Sequence, residues 1–318
     1  MPISDLPALA RPAEGARRVL VTGAAGFIGA WILRTLVREG WEPVVFDLSR
    51  DRRLVAEICG AAIAETLDWI TGDIANAEDL HSAARGTDAI IHLAGLLTPG
   101  CRANPARGAQ INLIGLLNVF AAAKALGHER VLYMSSAGVY GPDGGSIPQP
   151  TTLYGAFKLA GEICAKAFAA DDGISSIGIR PYVVYGPGRE QGLSAGPSLA
   201  ARAIGEGRSY TIPFTGPLDM IHVGDVAEAF VTALNTKFEG AHIVNLFGQR
   251  LEAEAVAREL QLLAPSGLTV SAEGPAMPIV LPQADNSSNL LKTWSPRPLA
   301  EGLAQTIEFY RTRARIVA

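Results

Sequence analysis

The sequence is expected to fold as an α/β protein, a Rossmann-type doubly wound parallel sheet with a smaller, interleaved C-terminal substrate-binding part. Three observations point there. Short Val-, Ile- and Leu-rich runs alternate with helical segments from the first strand onward, the pattern of a parallel sheet covered on both faces. A glycine-rich turn, GAAGFIG, joins the first such run to a helical segment. Past Arg180 the texture changes to Gly/Pro-rich loops between helices, as in YGPGREQGLSAGPS.

Taken in order, RRVLVTG reads as a buried strand, FIGAWILRTLVREG as a helix stopped by Gly40, and EPVVFD as a second strand. DWITGD, DAIIHLAG and RVLYMSS are further strands, followed by helical segments such as ANAEDLHSAARG and AQINLIGLLNVFAAAKALG. Further on, LAARAIGEG, VGDVAEAFVTAL and EAEAVARELQLL read as helices, and HIVNLF as one more strand rejoining the sheet. The expected division is a loose tail over 1–16, a dinucleotide-binding domain over 17–185, and a mainly substrate-binding part over 186–318. Within that last part, 219–248 is expected to return to the first domain.

Bulk properties narrow the function classes. The 318 residues are 48% hydrophobic and 18% charged, with a net charge of −4 and no basic block. A nucleic-acid partner or an anionic membrane surface is therefore not expected. The start has no apolar signal-like stretch, and no apolar run, AIIHLAGLL included, approaches transmembrane length. Cys59, Cys101 and Cys164 are odd in number, widely spaced and without metal-ligand neighbours, so no metal site is expected. They fit reduced thiols and a cytoplasmic location.

The turn GAAGFIG places Gly23, Gly26 and Gly29 where a backbone must approach a pyrophosphate closely, at the N-terminus of a helix. Asp47 ends the second strand, where a carboxylate accepts hydrogen bonds from the adenosine ribose hydroxyls and repels a 2′-phosphate. The expected cofactor is thus NAD rather than NADP. Arg50, Arg52 and Arg53 lie close behind and could welcome a 2′-phosphate, and Asp47 could also cap the next helix. Asp73 ends the third strand and could touch the adenine amine or cap a helix.

Ser135 and Ser136 close the RVLYMSS strand, and ligands of open α/β sheets bind outside the carboxyl ends of the strands. In PTTLYGAFKLAGE, Tyr154 and Lys158 stand at i and i+4 on one helix face. A tyrosine is a poor base at neutral pH, but a neighbouring ammonium stabilises its phenolate. Ser136 could then hydrogen-bond the reacting oxygen.

At this point the chain resembles the extended short-chain dehydrogenase/reductase family, the NAD-dependent epimerase/dehydratase group. The resemblance covers nearly everything after Arg17, through VTGAAGFIG, GDI, HLAG, INLIGLLNV, SSAGVYG, YGAFKLAGE, IRPYVVYGPG and IHVGDVAEA. It implies an oxidoreductase of carbohydrate metabolism, with Tyr154 as general acid/base. Lys158 would hold the nicotinamide ribose and Ser136 would be the catalytic hydroxyl. Cofactor contacts would also come from Phe27 and Ile28 in the glycine loop, Ile74 of GDI, and Leu93 and Ala94 of HLAG. The resemblance makes His92 structural and Tyr140 a packing residue, places Asn112 near the active site, and sets Ala137 and Arg189 beside the substrate. It also implies a homodimer built by the Tyr/Lys helix and the helix before it.

Departures from the family pattern bear on the substrate. Dehydratase members resemble TDEVYG, whereas Ala137 and Gly138 stand at the acidic positions here, which speaks against dehydration. Nucleotide-sugar epimerases resemble RPFNVYGP and RDYIHV. Here Val183 replaces the Asn, Leu218 the Arg and Met220 the Tyr, so polar contacts to a diphosphate have become apolar. Arg189 and Arg208 remain as anion partners, Arg208 reading better as a solvated surface charge. The favoured expectation is an NAD-dependent oxidation of a small non-nucleotide sugar, sugar acid or polyol, with Arg189 on a carboxylate. The alternative is a UDP-hexose 4-epimerase using transient oxidation by bound NAD. A non-catalytic dinucleotide sensor is disfavoured by the intact Ser136, Tyr154 and Lys158.

Overall fold

The computed structural model describes residues 15–128, 130–141, 145–277, 289–291 and 294–317. The tail over 1–16 lies almost wholly outside the described residues. Twelve strands are described: β1 Arg18–Thr22, β2 Glu42–Asp47, β3 Asp68–Thr71, β4 Ala89–His92, β5 Arg130–Met134, β6 Ser175–Pro181, β7 Val183–Tyr185, β8 Tyr210–Ile212, β9 Pro217–His222, β10 Ala241–Leu246, β11 Gln249–Glu252 and β12 Val270–Ala272.

Seven of them form one parallel sheet in the order β10-β6-β5-β4-β1-β2-β3. Its residues alternate between two buried faces. Val19, Val21, Val45, Ile91, Leu132 and Met134 enter one core with the helices Phe27–Arg38 and Val223–Asn235. Leu20, Val44, Phe46, Ile90, Val131 and Tyr133 enter the other, under the helices Ala77–Ala84 and Gly115–Leu126. Burial on both faces is why these runs are continuously apolar; each such side chain contributes about 1.5–3 kcal/mol.

The strand β6, between β10 and β5, was not singled out by sequence. Ser175, Ser176, Gly178 and Arg180 dilute its apolar signal, yet all seven of its residues are buried. HIVNLF does rejoin the sheet, as β10 beside β6. The expected boundary at 185 and the return at 219 shift in detail. β7 and β9 pair with each other and with β11 in a separate three-stranded sheet, while Val223–Asn235 and β10 return to the large domain.

A second core unites β7, β8, β9 and the helices Gly196–Gly205, Ala253–Leu263 and Leu299–Val317. Val183, Leu218 and Met220 are buried within it.

The run AQINLIGLLNVFAAAKALG is not one regular helix. Pro105–Ala109 passes through a π-helical turn, Gln110–Ile114, into Gly115–Leu126. Together these make a 22-residue stretch long and apolar enough to cross a membrane by length and composition, which the sequence reading did not see. In the fold, one face of it packs against the helices Ala77–Ala84 and Leu153–Asp172.

Candidate active site

β1 and β4 are neighbours from opposite halves of the sheet order, so the crevice opens at the carboxyl ends around them. The glycine turn follows β1. A Cβ at Gly23 would lie 2.6 Å from the Ala94 nitrogen, and one at Gly29 would lie 2.6 Å from the backbone of Ala24. Both positions therefore require glycine for the turn to close on the strand beside it. Gly26 is different. It is exposed, it N-caps the helix Phe27–Arg38 without a side-chain cap, and the first turn carries no acidic residue. The N–H groups there are open to an external anion, which is what a dinucleotide pyrophosphate requires.

Asp47 accepts hydrogen bonds from the backbone nitrogens of Ala25 and Leu48, at 3.0 and 2.8 Å. Burial raises its pKa against those N–H groups. It does not cap the following helix, whose N-cap is Arg52; it ties the end of β2 to the glycine turn. The three arginines behind it are engaged elsewhere: Arg50 with the Trp69 carbonyl, Arg52 with Glu65, and Arg53 with Asp51.

Asp73 does not cap the following helix either, because Asn76 does. Asp73 accepts from the Ala75 nitrogen and pairs with Arg107 at 2.6 Å. Burial works against its charge, but the Ala75 N–H and Arg107 outweigh it and hold the carboxyl below its ordinary value. Ile74 is buried under Gly115, with its carbonyl accepting from Asn118. Leu93 and Ala94 are part-buried at the end of β4, their nitrogens donating to Thr22. Phe27 and Ile28 are part-buried in the first turn of the glycine-loop helix.

The helix Leu153–Asp172 starts at a Thr152 cap that accepts from the Gly155 nitrogen. A Cβ at Gly155 would overlap the Gly138 carbonyl oxygen outright, so this residue lets the helix dock directly on the SSAGVYG loop. The docking brings the Tyr154 ring and the Ser136 hydroxyl together around Gly138. Ser136 also accepts from the Gly138 nitrogen at 3.0 Å. Burial raises the Tyr154 pKa, while the Ser136 bond and the Arg189 charge lower it.

Lys158 is buried and donates to the Met134 carbonyl at 2.8 Å, with its ammonium 5.7 Å from the Tyr154 ring centre. Burial brings its pKa down to about 8, against the pull of Cys101 and Glu162. Asn112 sits in the π-helical turn and donates to the carbonyls of Leu96 and Gly108. Its Oδ1 and the Lys158 ammonium both face Gly95.

Several contributors were missed by sequence. Glu162, one turn beyond Lys158, accepts from Ser135 and forms a buried ion pair with Arg180. Arg180 also donates to the Tyr140 hydroxyl, which in turn donates to Asn245. Tyr140 is thus a hydrogen-bonded strut rather than a plain packing residue. The available signal was the i, i+4 spacing of Glu162 after Lys158.

Ala137 is buried in a small apolar cluster with Val139, Tyr140 and Phe247. His92 is buried against Thr22, with its pKa brought down to about 3 by burial and by Lys158, so it stays neutral. Arg208 pairs with Glu206 at the surface.

The profile of the NAD dependent epimerase/dehydratase family matches residues 19–246. A UDP-glucose 4-epimerase of Mycolicibacterium smegmatis is 29% identical over 94% of this chain and 100% of its own length. The NAD complex of Thermus thermophilus UDP-glucose 4-epimerase superposes with a TM-score of 0.78 at 26% identity, covering 92% of this chain and 99% of that one. MoeE5 bound to UDP-glucose and NAD superposes with a TM-score of 0.77 at 29% identity, covering 95% and 100%. The chain belongs to the NAD dependent epimerase/dehydratase family.

Proposed function

We propose that the protein is a nucleotide-sugar 4-epimerase acting on a UDP-hexose, with Ser136, Tyr154 and Lys158 as its catalytic residues. The observation that carries this reading is the docking of Tyr154 onto Ser136 beside the glycine turn, in a chain that aligns along its length with UDP-glucose 4-epimerases. This reverses the order favoured from sequence, in which oxidation of a free sugar or sugar acid came first. That order rested on Val183, Leu218 and Met220. All three lie in the second core, where their apolar character serves packing.

When bound, NAD supplies the acceptor and donor of the C4 hydride. The chain's own residues handle the proton and the geometry. Tyr154 takes the proton of the 4-hydroxyl as its carbon is oxidised and returns it to the same oxygen on reduction. Lys158 places a cation beside the phenolate form. Ser136 donates to the sugar oxygen and keeps it in line with Tyr154. Gly23, Gly26, Phe27, Ile28, Gly29, Asp47, Asp73, Ile74, Leu93 and Ala94 hold the cofactor, while Ala137 and Arg189 border the substrate.

The same proposal includes a homodimer through the helices Gly115–Leu126 and Leu153–Asp172, supported by the exposed Leu153 and Ile163 on the second and by the exposed Ile114 just before the first.

The test is proton NMR of UDP-glucose with the full chain and NAD. Appearance of UDP-galactose supports the reading. Steady accumulation of reduced nicotinamide with a free sugar or sugar acid, and no change in UDP-glucose, replaces it with the dehydrogenase.

A further inference from the structure

Arg189 follows the Gly186–Gly188 turn after β7 and projects into the crevice. One terminal nitrogen donates to the Val184 carbonyl at 3.2 Å and the other to the Ser194 hydroxyl at 3.1 Å. The guanidinium lies 5.7 Å from the ring centre of Phe27, the first residue of the glycine-loop helix. It also acts electrostatically on Tyr154. Its Nε is buried without a hydrogen-bond partner. Among the described residues no carboxylate pairs with it; its chain neighbour Glu190 is turned to Arg202.

A guanidinium has five N–H donors in a planar fork. Two are used here on neutral oxygens, and the charge is left uncompensated in a partly dry setting. Other partly or fully buried arginines are matched: Arg180 with Glu162, and Arg297 with Asp225. A buried cation without a counter-ion is costly, and a carbonyl, a hydroxyl and an aromatic face offset only part of that cost. The unused donors therefore await an anion from outside the chain. The positions that would carry polar diphosphate contacts, Val183, Leu218 and Met220, are buried apolar residues and cannot supply them.

We propose that Arg189 receives a pyrophosphate group in the crevice. Resting on the reading of the crevice as a dinucleotide and nucleotide-sugar site, the inference admits two sources of that group. Phe27 places the guanidinium beside the glycine-loop helix, where the cofactor's pyrophosphate belongs. Its charge also acts on Tyr154, so a nucleotide sugar held at that tyrosine offers its own diphosphate as the other source.

The test compares the full chain with Arg189→Met and Arg189→Lys, measuring the dissociation constants of NAD and of UDP-glucose and the ligand-free melting temperature. A charge-assisted fork contributes roughly 10- to 100-fold in affinity. Arg189→Met is expected to weaken one ligand by that factor and Arg189→Lys by less. A weakened NAD with UDP-glucose unchanged assigns the cofactor's pyrophosphate; the reverse assigns the substrate's. Ligand-free melting is expected to hold or rise in Arg189→Met, because an unpaired buried charge is removed. Both affinities unchanged, with melting lowered, would make Arg189 a purely structural residue and overturn the proposal. Should Arg189→Met fail to fold, the two affinities of Arg189→Lys decide in the same way. An unsubstituted chain that binds NAD but not UDP-glucose sinks the epimerase reading separately, and the NAD measurement alone then decides the role of Arg189.

Discussion

Lys158 donates to the Met134 carbonyl at 2.8 Å, which pins the helix carrying Tyr154 to the strand that leads into Ser136. One ammonium thus serves two ends. It fixes the mutual position of Tyr154 and Ser136, and it places a positive charge near the phenol that the proposed mechanism deprotonates.

This arrangement has a stability cost with a definite sign. The folded-state pKa of Lys158, about 8, lies below its ordinary 10.5. The unfolded chain therefore binds more protons between those values, and this group's contribution to stability rises with pH across that window. Below about 8 the cost is full, on the order of 3 kcal/mol before the Met134 hydrogen bond is credited. Lys158→Met is expected to unfold at higher denaturant at pH 7 and to show a flatter stability profile from pH 8 to 10.5. Its turnover should fall by roughly 10²–10⁴-fold. Chemical denaturation across pH and steady-state kinetics check both.

Gly155 is the contact point between helix and loop. Gly155→Ala adds a methyl that overlaps the Gly138 carbonyl, so helix and loop must separate. Overpacking of this kind costs about 1–3 kcal/mol. The expected result is a lower melting temperature together with lost activity, because Tyr154 moves away from Ser136. Thermal melts and initial rates of the variant provide the check.

The Glu162–Arg180 pair anchors Ser135 and Tyr140, which flank the Ser136–Val139 loop. Glu162→Gln leaves Arg180 buried without its counter-charge, at a cost of about 3–5 kcal/mol. Arg180→Met alone is expected to cost a similar amount. The double variant should recover much of the loss, a large coupling readable from a double-mutant cycle in urea.

Ile163 is 60% exposed on the helix Leu153–Asp172. If this face is a dimer interface, Ile163→Glu should halve the particle mass seen by light scattering while leaving the fold intact by circular dichroism. An unchanged mass, dimeric or monomeric, would remove this face from the account.

The large domain was legible because its chemistry is local. Continuous apolar strands, the GAAGFIG turn and the Tyr154/Lys158 spacing all lie within short windows of sequence. β6 was hidden because its burial comes from two neighbouring strands rather than from its own composition, with Arg180 buried on a partner, Glu162, supplied by the preceding helix. Asp47 and Asp73 showed the same limit. A carboxylate after a strand reads as a helix cap, and only the fold shows that one holds the glycine turn and the other holds Arg107. Leu218 and Met220 were read for the polar contacts they lack, whereas their burial reflects a second core assembled from segments far apart in sequence.

The most direct test of the central claim uses UDP-glucose deuterated at C4, incubated with the full chain and NAD and followed by NMR. The account predicts UDP-galactose that keeps the deuterium at C4, and loss of that conversion in Tyr154→Phe. No epimerisation, or accumulation of reduced cofactor in place of the epimer, would contradict it.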